Sequence, residues 1–401
     1  MGRPAGRTQK GMSLTDVPEI HGSAAAGFEP VREAFAANFA AKFTDRGELG
    51  AAVAVRLNGR TVVDLRGGWA DPGRSRAWAA GTLTNVWSTT KGMTAICALR
   101  LAETGDLDVD DPVVRYWPEF GQAGKETIPV RWLLSHRSGV TGVGPQHPLQ
   151  AADLHDWEKM TRLLAAQEPL FEPGTVTGYQ ALAYGYLVGE VIRRITGQTV
   201  GAFFAEHVAR PLGADFHIGL EESDLDRCSI MVEAVLPPEA EAAMAQAFAE
   251  AGPAALAALA NPRPLGRDAN DANWRRAEIP AANGHGTALA VATIYGALAD
   301  GSERLLKQST MELGRTGQGW CVDAVAGAGN EFGLGFTLGS RQRSFGPNPR
   351  AFGHDGFGGS TGFADPESGL SLGYVMNQMG PGLRDDPRKM ALIDACYACL
   401  G

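Results

Sequence analysis

Strand and helix patterns are unevenly distributed along this 401-residue chain, and that distribution constrains its fold more than any other feature. Residues 51–57, the Asn58-Gly59 turn and residues 61–65 predict a β-hairpin, because Asn-Gly favours two-residue hairpin turns. Further short strands are predicted only from residue 332 onward, and helical patterns fill the middle. We therefore expect an α+β fold, an α/β sandwich whose antiparallel sheet is built from both chain ends and flanked by helices. A mainly helical lobe is inserted between the two ends.

The boundaries follow from the same patterns. Residues 1–20 are expected to form a disordered tail, and 21–401 a single domain. Within it, 21–85 and 286–401 form the sheet lobe and 86–285 the helical lobe. Strands are predicted over 332–338, 351–354, 359–364 and 370–377. Helices are predicted over 28–43, 88–103, 130–135, 160–167, 181–196, 199–211, 240–260 with a break at Gly252-Pro253, 286–300 and 387–399.

Composition excludes several classes of partner. The net charge of -9 argues against binding nucleic acid, and no apolar run approaches the ~18 residues of a membrane-spanning helix. The N-terminus lacks the apolar region of a secretory signal. Five scattered cysteines indicate reduced thiols in a cytoplasmic protein, and the Cys396-x-x-Cys399 pair is expected to pack within a helix. The oligomeric state is left open.

The segment Trp87-Ser88-Thr89-Thr90-Lys91 carries the strongest chemical signal. It places a serine and a lysine three residues apart at the predicted start of a helix, on one helical face. A neighbouring base must remove the proton from a serine hydroxyl before it becomes a good nucleophile, and a partly buried lysine can be neutral enough to help. The helix start also supplies free backbone N–H groups that stabilise negative charge.

Two further clusters contain residues of the right chemistry. Residues 173–181 present Tyr179 before a helix, and a tyrosine beside a lysine ammonium can act as a general base. Residues 353–360 form a glycine-rich segment containing His354 and Gly356. Glycines on a strand let a ligand approach the backbone, and His354 could contact a substrate carbonyl or carboxylate.

In chain order, the three clusters resemble the signature of the serine β-lactamase and penicillin-binding-protein superfamily. The similarity is greatest to the class C branch, and the segments 105–112, 133–139 and Pro173-Gly174 are similar to that branch as well. It spans about residues 28–400 and implies a β-lactamase/transpeptidase-like fold. It also implies Ser88 as nucleophile, activated by Lys91 and Tyr179, and an oxyanion hole formed by the backbone N–H groups of Ser88 and Phe357.

Two departures from the class C pattern point to a particular activity. Class C enzymes have Tyr-x-Asn where this chain has Tyr179-Gln180-Ala181, so the amide that contacts a β-lactam side chain is missing. His354-Asp355-Gly356 stands at the Lys-Thr-Gly position. The combination looks most like a family VIII carboxylesterase, a serine hydrolase that cleaves esters through an acyl-enzyme.

Other activities stay open on the same resemblance. A DD-peptidase, an amidase, a weak β-lactamase or an acyltransferase would use the same scaffold on a small ester or amide. An inactive binding protein is disfavoured because Ser88, Lys91 and Tyr179 occur together. The sequence contains no metal-ligand spacing and no phosphate-binding loop, so no cofactor or metal is expected.

Several other residues could be mistaken for, or could assist, the catalytic groups. Residues 358–362 match G-x-S-x-G, yet no histidine follows Ser360 to complete a triad, so Ser360 is not expected to be the nucleophile. His136 is expected to be structural. Trp87, His285, His354 and Gly356 are the candidate substrate-binding residues, although core packing is an alternative for Trp87 and helix capping for His285.

Overall fold

A computed structural model describes residues 17–40, 47–339, 344–382 and 385–401. Residues 1–16 of the predicted tail and 41–43 of the first predicted helix lie outside the described residues. The β-strands are β1 Ile20–Ala24, β2 Gly50–Leu57, β3 Arg60–Gly68, β4 Thr84–Asn85, β5 Phe216–Ile218, β6 Gly284–Gly286, β7 Cys321–Val322, β8 Gly329–Asn330, β9 Thr337–Leu338, β10 Phe352–Asp355, β11 Thr361–Asp365 and β12 Leu370–Met376.

Helices occupy most of the chain between the hairpin and the last strands. The α-helices are α1 Glu29–Ala40, α2 Thr90–Thr104, α3 Val130–Leu134, α4 Trp157–Ala166, α5 Ala183–Thr196, α6 Val200–Phe204, α7 Arg210–Leu212, α8 Pro238–Ala249, α9 Pro253–Leu259, α10 Ala272–Arg276, α11 Ala288–Ala299, α12 Gln308–Gly314 and α13 Pro387–Ala398. A π-helical turn, Ala205–Ala209, joins α6 to α7, so the helix predicted over 199–211 forms without a break. The break predicted at Gly252-Pro253 separates α8 from α9.

The two ends of the chain meet in one seven-stranded antiparallel sheet of order β1-β3-β2-β12-β11-β10-β9. Strands β1, β3 and β2 form one part of it and the last four strands the other. They join where β2 pairs with β12, with Ala54 opposite Gly373 at the centre of the pairing. The predicted α+β arrangement, with its antiparallel sheet built from both chain ends, is confirmed.

Each face of the sheet is covered by helices, as the alternation of side chains along β2 requires. Val53 and Val55 point into a back layer formed with α1 and α13. Ala52 and Ala54 point into the larger front core, which contains α2, α5 and α11. Helix α2 is surrounded by other elements, and 11 of its 15 residues are buried. A helix apolar on all sides belongs in a core.

A small three-stranded sheet, β4-β6-β5, was not predicted. Its strands have only two or three residues each, too few to give a sequence pattern. The sheet brings together segments far apart in the chain and leads directly into the Ser88 turn. Helices α2 to α10 all lie within 86–285, but the division into two lobes stays a prediction.

Several predicted boundaries shifted by up to three residues, and two further differences affect the site. The strand predicted over 332–338 is formed only at β9, because Gly335 adopts φ 87° in a tight turn where a side chain would meet Ala95 and Tyr184. The helix predicted to begin at Ser88 begins at Thr90, after a 3₁₀ turn at Trp87–Thr89. Among the described residues, no helix is long and apolar enough to cross a bilayer.

Candidate active site

Ser88 lies in the sharp turn between β4 and α2. The backbone N–H of Val86 donates to the carbonyl of Gly284 across 2.9 Å, which fixes the start of the turn on β6. Trp87 then adopts φ 47°, a conformation unusual for a bulky residue, and reverses the chain direction. Because its neighbours Trp87 and Thr89 are buried, the half-exposed Ser88 is the residue of this turn that reaches the surface of the cleft.

Lys91 lies one helical turn after Ser88 and is fully buried, at 0% exposure. Its Nζ lies 3.0 Å from Ser88 Oγ, so the predicted pairing is present in the structure. The same nitrogen donates to the carbonyl of Ala181 at 2.7 Å and to that of Ala281 at 3.0 Å. The lysine is thus held at three points, and one of them is the serine hydroxyl.

Burial lowers the pKa of Lys91 well below its usual 10.5. Removing an ammonium from water is costly unless an opposite charge compensates, and the described partners of Lys91 Nζ are two carbonyls and a hydroxyl. A neutral amine has two N–H groups and one lone pair. As an ammonium, Lys91 donates to all three oxygens; once neutral, it can donate to the Ala181 and Ala281 carbonyls and accept from the Ser88 hydroxyl through its lone pair.

Tyr179 is adjacent to this pair. Its ring centroid lies 4.9 Å from Lys91 Nζ, and the ring stacks on Phe332 at 6.1 Å. The backbone N–H of Tyr179 donates to Asp323 Oδ1 at 3.2 Å, which fixes the segment before α5. His136 supports the opposite side with its ring 5.0 Å away. The structure therefore brings together the three residues predicted as catalytic.

The residues after Tyr179 have separate roles. Gln180 is fully buried and turns away from the cleft, donating to Ser138 Oγ at 2.7 Å and to the Val140 carbonyl at 3.0 Å. Ala181 contributes its carbonyl to Lys91 and a methyl group to the cleft wall. The position of the class C asparagine is thus occupied by a small apolar side chain.

The segment from β10 to β11 forms the other wall of the cleft. His354 is buried, its Nδ1 lies 2.7 Å from the Asp355 carbonyl, and its ring centroid is 6.2 Å from that of Tyr179. Gly356 lies against the carbonyl of Val86, where any side chain would collide. This close approach explains the glycine and places Phe357 beside Ser88, since both line the same cavities.

Ser360 is structural in this arrangement. Its Oγ is buried and donates to the carbonyl of Val86 at 2.8 Å, with Thr89 Oγ1 3.2 Å away. The hydroxyl ties the β10–β11 turn to the Ser88 turn. This placement explains the G-x-S-x-G match without a nucleophilic role.

The remaining predicted substrate-binding residues fall in different places. The Trp87 side chain is 4% exposed and packs against Trp274 and Phe357, yet it lines the larger cavity beside Ser88. His285 lies in β6 with Nδ1 2.8 Å from the Asn283 carbonyl, and burial lowers its pKa to about 3. His285 is not among the described residues that line either cavity.

Two cavities open beside Ser88, and Ser88, Tyr179 and Phe357 line both of them. The smaller, of about 40 Å³, also contains His354 and Thr337. The larger, of about 320 Å³, is bordered mainly by apolar side chains. In the part of the chain that the structure describes, no cluster of three or more His, Cys, Asp or Glu side chains could hold a metal ion.

Sequence reasoning missed several residues of the site. The carbonyls of Ala181 and Ala281 hold Lys91, and backbone groups leave no signal in a sequence. Met244 and Phe248 line the larger cavity. Their spacing of four on an alanine-rich helix was a usable signal, since they are the two large apolar residues of α8.

The geometry agrees with comparisons to known proteins. The family model described as Beta-lactamase matches residues 35–396. The chain belongs to the beta-lactamase family. The Mycobacterium tuberculosis esterase/beta-lactamase LipL is 35% identical over 364 residues, which cover 85% of this chain and 80% of the relative.

Solved structures give the same result within this family. A family VIII carboxylesterase shares 43% identity with a TM-score of 0.88, covering 95% of this chain and 100% of the other. A penicillin-binding-protein homologue from Caulobacter crescentus shares 40% identity with a TM-score of 0.86 over the same fractions. The predicted superfamily, its branch near family VIII esterases, and the fold class are confirmed.

Proposed function

We propose that the protein hydrolyses carboxylic esters of small molecules through an acyl-enzyme on Ser88. It is a serine hydrolase on the β-lactamase scaffold. The single observation that carries the proposal is the position of Lys91, which is buried and bonded to two carbonyls, with Nζ 3.0 Å from Ser88 Oγ. A neutral amine held in this way is a general base directed at one hydroxyl.

The reaction proceeds in two steps. Lys91 takes the Ser88 proton as Oγ bonds to the ester carbonyl carbon, and the carbonyl oxygen becomes an oxyanion. The backbone N–H groups of Ser88 and Phe357 stabilise that charge, each donor contributing ~3 kcal/mol. The carbon–oxygen bond to the alcohol then breaks, and the Lys91–Tyr179 pair returns the proton to the leaving alkoxide. Water attacks the acyl-enzyme by the reverse proton route and releases the acid.

Esters are favoured over β-lactams by the side chain at position 181. Ala181 lines the larger cavity with a methyl group and offers no side-chain donor to an acylamino group. The relatives whose names describe activity include an esterase/beta-lactamase and a family VIII carboxylesterase. These observations support ester hydrolysis as the main activity and leave β-lactam hydrolysis as an outcome of the test.

The deciding experiment compares p-nitrophenyl acetate and butyrate with nitrocefin for the wild type, Ser88→Ala and Ser360→Ala. We expect ester turnover to fall at least about a thousandfold in Ser88→Ala, because the nucleophile is lost. Ser360→Ala should keep most of its turnover and lose about 1 kcal/mol of stability through its broken hydrogen bond. Turnover that survives in Ser88→Ala and is lost in Ser360→Ala would refute the proposal. Nitrocefin turnover equal to that of the esters would reassign the main activity to β-lactams.

We also propose the cytoplasm as the location. All five cysteines are free, and Cys396 and Cys399 are not joined although they lie one helical turn apart. Free thiols are typical of a reducing compartment. Fractionation of the native cells with an antibody to the protein would test this placement.

A further inference from the structure

The larger cavity beside Ser88 has two walls of different character. Its inner wall is formed by α9 and the segment after it, which are firmly attached to the helical lobe. Asn261 Nδ2 donates to the carbonyls of Val143 and Gly144 at 2.8 and 3.1 Å, and Thr141 Oγ1 donates to the Ala254 carbonyl at 2.8 Å. This wall is therefore fixed by hydrogen bonds to a distant part of the chain.

The outer wall is α8, and it is attached far more loosely. None of its 12 residues is buried. Met244 and Phe248, one turn apart on the same face, are the α8 side chains that reach into the cavity. The exposed Arg263 secures them, with its guanidinium 4.8 Å from the Phe248 ring centroid and 3.3 Å from Met244 Sδ. Two apolar side chains on a peripheral helix thus close one side of the cleft.

The two cavities differ in polarity, and this difference distinguishes a site for the acyl group of an ester from a site for its alcohol group. The leaving oxygen gains negative charge and must receive a proton, so it needs polar surroundings. The smaller cavity, with His354, Thr337 and Ser344 beside Tyr179, provides them. The acyl group extends from the carbonyl carbon away from the leaving oxygen, and the larger, more apolar cavity is the space that remains for it.

From this arrangement we propose that the larger cavity binds an uncharged, apolar acyl group and that Met244 and Phe248 of α8 set the size limit. The proposal rests on the proposed ester hydrolysis. A volume of about 320 Å³ falls at the small end of ordinary ligand sites. Arg263 is the one charged side chain among the described residues that line it, and Arg263 is exposed at the edge.

The test varies one arm of the ester at a time. Ethyl acetate, butanoate, hexanoate and octanoate share one alcohol, whereas ethyl, butyl and hexyl acetate share one acyl group; acid release is followed by pH-stat titration. We expect kcat/KM to rise about fourfold for each added acyl methylene until the cavity is full. Lengthening the alcohol should change kcat/KM by less than about twofold per methylene.

Three α8 variants test whether Met244 and Phe248 form the wall that limits the acyl length. Phe248→Ala and Met244→Ala enlarge the cavity, and each should raise the octanoate-to-butanoate ratio of kcat/KM about tenfold. Gln246→Ala is the matched control, because Gln246 is exposed on the same helix and does not line the cavity. Its acyl-length profile should equal that of the wild type.

Each outcome has a defined meaning. An alcohol series steeper than the acyl series, or acyl profiles unchanged in both Phe248→Ala and Met244→Ala, would overturn the acyl-site assignment. If turnover in these assays still depends on Ser88, the ester hydrolase proposal stands while this inference fails. Ester turnover that persists in Ser88→Ala refutes the proposed function instead. The wild-type series decides the assignment even if one α8 variant does not fold.

Discussion

At the scale of single residues, the defining feature is a buried lysine whose surroundings lower its pKa. Lys91 is fully buried, and its bonds run to two backbone carbonyls and one hydroxyl instead of a carboxylate. A carboxylate partner would hold the amine as an ammonium with no lone pair. Carbonyls accept its N–H groups without adding a full charge, so burial can lower the pKa.

This residue predicts the pH dependence of the enzyme. The base must be neutral, so kcat/KM should rise with pH through the lowered pKa of Lys91 and then reach a plateau. Lys91→Arg keeps the positive charge at every accessible pH, because a guanidinium is not deprotonated in proteins. We expect this variant to lose about a hundredfold or more of kcat/KM, with no recovery at alkaline pH.

The measurement is a pH–rate profile of p-nitrophenyl butyrate hydrolysis for both proteins, with circular dichroism as the folding control. A Lys91→Arg enzyme within about tenfold of the wild type would show that Lys91 is not the base. The base would then be assigned to Tyr179.

At the scale of elements, α13 supports the cleft from the back of the sheet. Arg388, at 1% exposure, donates to the Gly358 carbonyl at 2.9 Å and to Glu48 Oε2 at 2.9 Å. The next residue, Lys389, forms an ion pair with Asp355. Both cations lie in the first turn of α13 and hold the two ends of the turn that carries Phe357. The helix therefore positions the proposed oxyanion donor, and neither cation lines the two described cavities beside Ser88.

Arg388→Lys tests this positioning role. A lysine lacks the planar fork and cannot bond to Glu48 and the Gly358 carbonyl in the same way. A small displacement of the Phe357 N–H should lower kcat about tenfold to a hundredfold. KM should change little, because the loss falls on the transition state.

Steady-state kinetics and melting temperature are measured together, with Asp394→Ala as an exposed control on the same helix. A variant with a lower melting temperature and unchanged kcat would assign Arg388 a structural role alone.

At the scale of the whole molecule, the sheet separates two packed layers. The back layer of α1 and α13 contains Phe35, which is 0% exposed and packs edge-on against Phe39 at 5.3 Å. The front layer contains the Ser88 turn and the helical lobe. The layers bury different side chains of the sheet, so a side chain away from the α13 contacts with the Phe357 turn can be changed for stability without changing activity.

Phe35→Ala should destabilise the protein by about 3–5 kcal/mol by leaving a cavity in the back layer. We expect kcat to match the wild type well below the melting temperature, because Phe35 lines neither cavity beside Ser88 and takes no part in the α13 contacts with Asp355 and Gly358. Urea unfolding and ester kinetics measure the two effects, with the exposed Glu33→Ala as control. A large fall in kcat in the folded variant would show that the layers are coupled.

The sequence by itself determined those features that depend on neighbouring residues. The spacing of Ser88 and Lys91 fixed their contact, because residues three apart meet on a helical turn. The Asn58-Gly59 turn fixed the hairpin, and the order of strand and helix patterns predicted the sheet from both ends. The motifs also identified the family, which the comparisons confirm. The catalytic roles of Ser88, Lys91 and Tyr179 stay predictions, as do the oxyanion donors and the substrate-binding residues.

Only the tertiary structure decided the features made by segments distant in the chain. It paired β2 with β12, placed the carbonyls of Ala181 and Ala281 on Lys91, and closed the larger cavity with α8. It also made Ser360 a buried support. The physical reason is that periodicity and turn chemistry are local, whereas these contacts depend on how the elements pack. Every residue has a backbone carbonyl, so the sequence does not show which carbonyl will accept a hydrogen bond from Lys91. That choice is known only once the packing is known.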